Sequence, residues 1–63
     1  MWIVIGMANT QELADNMQST LETEGLLVKQ RTLSPNTKSN TIEVLVLESE
    51  ADSAREILLE KGM

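Results

Sequence analysis

Apolar positions alternate at period two in three places along this chain and recur at helical spacing in two others. The densest run is Ile42 to Leu47 (Ile-Glu-Val-Leu-Val-Leu). Side chains of an extended segment alternate faces, so Ile42, Val44 and Val46 share one side and Leu45 and Leu47 the other, with only Glu43 interrupting. A short β-branched run that is apolar on both sides predicts a strand covered on both faces, and so the middle strand of a small sheet. Trp2 to Met7 (Trp-Ile-Val-Ile-Gly-Met) predicts the first strand and carries no charge on either face. Leu26 to Leu33 predicts another, polar in its second half, with Leu27, Lys29, Arg31 and Leu33 on one face.

Between the first two strands, Leu13, Met17 and Leu21, with Ala14 beside them, recur at helical spacing and predict a helix over residues 10–24. Asn9 is placed to cap it, with Glu12 completing a capping box. Gly25 is its expected left-handed stop. Ser34 to Asn40 is a loop by composition, containing Pro35 and two asparagines. The middle strand then runs from about Thr41 to Glu48. An antiparallel register across that loop sets Arg31 opposite Glu43 and Leu27 opposite Leu47, matching charge and hydrophobicity together. Ser49 is the expected cap of a second helix. Glu48, Glu50 and Asp52 gather at its positive end, Ala51, Ala54, Ile57 and Leu58 form its apolar stripe, and Lys61 and Gly62 close it.

The order strand, helix, strand, strand, helix predicts a single α+β domain over residues 1–63, a truncated ferredoxin-like β-α-β-β-α arrangement. Its three-stranded antiparallel sheet should run in the order 1-3-2, with both helices on one face. A full ferredoxin-like unit has a fourth strand beside the first, after the second helix. Without one, the first strand becomes an uncharged edge with only Gly6 to blunt it. If Ile3, Ile5, Val44 and Val46 face the helices, then Trp2, Val4, Leu45 and Leu47 line an open apolar face. Edge and face together predict a homodimer through the first strand and the open face, with those four residues in the contact.

Composition narrows the function. A chain of 63 residues buries only about 60% of its unfolded surface and benefits from a staple. With no cysteine and no histidine, disulfides, thiolate metal sites and the commonest general base are all absent, which leaves association. Ten acidic residues against five basic ones give a net charge of −5, which repels nucleic acid. No apolar run approaches the roughly 20 residues that span a bilayer. Met1 to Met7 lacks the basic flank of a signal peptide, so a cytoplasmic location is expected.

The opening apolar strand, the helix ending Leu-Glu-x-Glu-Gly at Leu21 to Gly25, the Leu-Leu-Val that follows, and the strand-to-helix step at Leu47 to Ala51 resemble the small PII-like family of prokaryotic signal-transducing proteins. That resemblance implies a bacterial, ferredoxin-like regulatory domain in which the last strand can be missing. In the larger PII proteins the loop after the second strand contacts partners and nucleotide phosphates. The matching positions here, Ser34 to Asn40, are far shorter and hold one basic residue, Lys38, which weighs against nucleotide. The chain is also similar to very short bacterial proteins that carry the name glutamate decarboxylase. Decarboxylation needs pyridoxal phosphate on a lysine, a phosphate cradle and an enclosing cleft. Lys29, Lys38 and Lys61 come with no glycine-rich loop, so the label reads as an accident of naming.

Two functions from different classes follow. The first is a non-catalytic regulatory or protein-interaction module, homodimeric and without cofactor or metal. The second is a sensor holding a small anionic metabolite near Lys29, Arg31, Asn36 and Lys38. Against it, Glu43 is the natural cross-strand partner of Arg31. The acidic trio Glu48, Glu50 and Asp52 reads as helix-end electrostatics before it reads as a cation site. Trp2, on so apolar a strand, reads as core or interface, and Met1, Met7 and Met17 read as core filler.

Overall fold

A computed structural model describes residues 1–33 and 41–63. The elements are β1 (Trp2–Ala8), α1 (Gln11–Thr23), β2 (Val28–Leu33), β3 (Thr41–Leu47), a 3-10 turn (Glu48–Glu50) and α2 (Ala51–Glu60). The sheet order is β1-β3-β2, antiparallel at both junctions. The doubly apolar run is therefore the centre, and the fold is the expected α+β arrangement. Arg31 pairs with Glu43 and Val28 with Val46.

Packing follows from alternation. Ile42, Val44 and Val46 of β3 and Ala8 of β1 join Ala14, Met17 and Leu21 of α1 and Ala51, Ala54 and Leu58 of α2 in one buried core. Ile3, Ile5, Leu26, Val28 and Ile57 pack around it. Every one of the sheet's contributions to this core comes from one face, so both helices cover that face and leave the other bare.

Several details differ from the sequence reading. Thr10, not Asn9, caps α1: its backbone is extended and its Oγ1 accepts from the Leu13 N–H at 3.1 Å. β1 runs on to Ala8, which pairs with Ile42, and that moves the helix start along by one residue. Ser49 does not cap α2. Glu48 to Glu50 wind into the 3-10 turn, and Glu50 precedes the helix with no side-chain cap bond. β2 begins at Val28, so the expected pairing of Leu27 with Leu47 does not form. Leu26 is instead drawn back to the end of α1, where its N–H donates to the Leu21 carbonyl.

β1 also carries a bulge. Val4 pairs with Leu45 and Gly6 with Val44, which leaves Ile5 as the extra residue. An inserted residue reverses the alternation beyond it. Gly6 and Ala8 therefore take up the helix-side positions, while Met7 falls opposite Glu43. Met1 and Met7 are exposed, and Met17 alone of the three expected filler methionines is buried. A Cβ on Gly6 would come within 2.4 Å of the Met17 methyl, so the glycine lets that side chain close over the strand.

Both helices end in Schellman motifs. Gly25 and Gly62 take φ of 86° and 73°. Leu26 and Met63 each donate their N–H to the third residue from the helix end, Leu21 and Leu58. The second motif folds Met63 back against α2, which bears on the surface described next.

Candidate functional site

The bare face carries three residues of β1, three of β3 and two of β2. Val4, Leu45 and Lys29 form one row across it, Met7, Glu43 and Arg31 a second, and Trp2 sits beside Leu47. The four residues expected at a dimer contact, Trp2, Val4, Leu45 and Leu47, do share this face. So do two of the expected ligand residues, Lys29 and Arg31. Asn36 and Lys38 lie outside the described residues.

Both cations already have partners within the chain. Lys29 Nζ stands 5.2 Å from the centre of the Trp2 ring. Lys29 is on β2 and Trp2 on β1, so the two side chains meet across the central strand. Leu45, the β3 residue opposite Lys29, is only 4% exposed. Arg31 donates from Nε to Glu43 Oε1 at 2.6 Å, and its Nη2 lies 2.5 Å from the same oxygen. Neither cation is presented as a free anion receptor on this face.

A second feature lies on the flank of β1, between the strand and the two helices. Ile5, Gly6, Met7, Leu13, Met17, Arg55, Leu58, Leu59 and Met63 line a groove of about 290 Å³ there. Leu13, expected in the buried stripe of α1, is 37% exposed and turns towards this groove. Leu59 is 82% exposed. Sequence reasoning left Leu59, Arg55 and Met63 unassigned. The signal was a leucine just off the Ala51, Ala54, Ile57, Leu58 stripe, visible only once α2 is set beside β1. Arg55 carries its own ion pair, to Asp52 at 3.3 Å.

On the opposite flank, α1 and β2 are joined by a polar network. Gln30 donates to Asp15 and Gln18, and Gln11 donates to Asp15 and Gln30. The Gln30 and Gln11 amides hold the Asp15 carboxyl below its ordinary value of 3.8. This network is a clasp for the outer strand, built from amides and one carboxylate.

Among the described residues, no group of three or more Asp or Glu is arranged to hold a metal ion. No described helix is long and apolar enough to cross a membrane. Comparison with known proteins finds no matching family model, no matching curated protein and no matching solved structure.

Proposed function

We propose that this chain is a non-catalytic interaction module, a regulatory domain of the small PII-like kind, that works as a homodimer through β1 and the bare sheet face. A cytoplasmic setting goes with that reading. The observation that supports it is the unequal finish of the two sheet edges. Exposed strand edges template further pairing, and soluble proteins guard them with charge, proline or distortion. β2 is guarded by exposed Lys29 and Arg31 and clasped by the amide network. β1 has no charged residue, and among the described residues its one protection is the bulge at Ile5. With neither histidine nor cysteine in the chain, and with the face cations engaged by Trp2 and Glu43, chemistry is a poorer account of this surface than contact.

Val4→Lys tests it. Val4 lies on the bare face of β1 opposite Leu45, away from the helices, so the change places a hydrated charge at the edge with least cost to the core. The parent should sediment as a dimer at high micromolar concentration, and the variant as a monomer with native-like circular dichroism but a lower melting temperature. A monomeric parent would refute the proposal.

A further inference from the structure

We infer that the groove beside β1 is the second half of that dimer contact, filled by β1 of another copy running antiparallel about a two-fold axis; this rests on the homodimer proposed above and specifies its geometry. A strand edge alone is too narrow. Seven residues of β1 at about 3.3 Å each make a ribbon about 23 Å long and one strand spacing, ~5 Å, wide. Its projected area is on the order of 100 Å², where a stable contact takes about 800 Å² from each partner. That is about a fifth of the chain's 4265 Å² of surface, so flanking surface on both sides of the strand has to take part. On one side the bare face supplies Trp2 and Val4. On the other, Leu13, Leu59 and Met63 stand exposed along the same strand, with Met63 fixed there by its bond to the Leu58 carbonyl at 2.8 Å.

The occupant follows from the charge pattern. An incoming β2 would bring Lys29 and Arg31 against an uncharged strand and would leave a fresh β1 edge at the far end, giving an open filament. An incoming β1 brings no charge, matches a groove lined mostly by apolar side chains to an apolar strand twice over, and leaves only the two guarded β2 edges outermost. The pairing is then isologous and closed, a continuous six-stranded sheet with four helices on one face, in which the bare face takes part only at the seam, through Trp2 and Val4.

Three measurements decide it, all by sedimentation equilibrium or cross-linking of the intact chain. Leu59→Glu changes a residue so exposed that the monomer should fold unaltered, yet it should weaken the dimer at least about tenfold, since the leucine is lost from the contact in both copies. Ser53→Glu, exposed on the same helix but outside the groove, adds the same charge and should leave the dimer constant unchanged. Because the chain has no cysteine, single-cysteine variants at Ile3, Val4, Ile5 and Met7 report the axis directly. Oxidative cross-linking should peak at one position and fall off to either side. If Val4→Lys abolishes a dimer that Leu59→Glu leaves intact, the interaction module stands and the groove is not part of it. Equal weakening by Ser53→Glu, or cross-linking that is flat along β1, overturns the two-fold pairing as well. A monomeric parent removes both proposals.

Discussion

Replacement of Gly25 separates backbone conformation from packing cleanly. The residue sits at φ 86°, and a Cβ added to it meets nothing within 4 Å. Alanine there adds no clash, so its whole cost is conformational. Holding an L-residue in the left-handed region costs about 1–2 kcal/mol. The loss of unfolded-state freedom from glycine to alanine returns about 0.4–1 kcal/mol, which leaves a net destabilisation of about 1 kcal/mol. Valine, branched at Cβ, should cost more. The conformation is not free to relax. The Gly25 N–H donates to the Glu22 carbonyl at 2.9 Å and the Leu26 N–H to that of Leu21 at 3.2 Å, and Leu21 is wholly buried beneath them. In a domain of this length, ~1 kcal/mol moves the melting temperature by about 4–8 °C. A chain this short can be made by chemical synthesis, which permits D-alanine at the same site. Its preferred φ is positive, so it should keep the entropic gain without the native cost and raise the melting temperature. Melts of the two epimeric variants at equal concentration cancel any contribution from association. If L-alanine is neutral, or D-alanine is no better than L, the left-handed cap is not being enforced and the helix boundary is wrong.

Two further outcomes are expected. Arg31→Ala should lower stability by about 0.2–1 kcal/mol in urea unfolding, towards the upper end because Glu43, its partner, is only 13% exposed and would lose both donors; a loss of several kcal/mol would give Arg31 a role beyond register. Gln30 and Gln11 depress the Asp15 carboxyl, so their bonds stabilise the fold at pH above 3.8 and that contribution is lost as the pH falls through the lower folded value. Asp15→Asn should therefore lower the melting temperature slightly near neutrality and flatten its decline in acid, and an unchanged acid limb in melts from about pH 6 to about pH 2 would refute this.

The fold was legible where a single residue type has one physical use. Apolar residues on both sides of Ile42 to Leu47, β-branched on one and leucine on the other, fit best in a central strand. Gly25 is needed only where φ is positive. The register came from a charge pair, Arg31 with Glu43, that a one-residue slip would separate across the sheet. Where two adjacent residues are chemically equivalent, the pattern decides nothing. Asn9 and Thr10 are both good caps, and the choice was made by Ala8, which pairs with Ile42 and extends β1 by one residue. The bulge was harder still. Gly6 marked the position, but only the pairing with β3 shows that alternation reverses after it and turns Met7 away from the core.

The surface divides in the same way. Trp2, Val4, Leu45 and Leu47 were placed on one face by alternation alone. That same face also holds the contact of Lys29 with Trp2, between residues 27 positions apart on opposite edges of the sheet. Periodicity within one segment carries no information about it. The groove shows the limit more sharply. A single exposed leucine calls for no explanation, because most folded surface is apolar in any case. Leu13 looks like a stripe residue of α1 and Leu59 like an accident of α2 when each helix is taken by itself. They acquire meaning only when the crossing of the helices brings them, with Met63, to the same uncharged edge. A small domain has little core with which to offset such exposure. Three apolar side chains beside one unguarded strand are therefore a stronger sign of a covered surface than the same three residues scattered over the molecule.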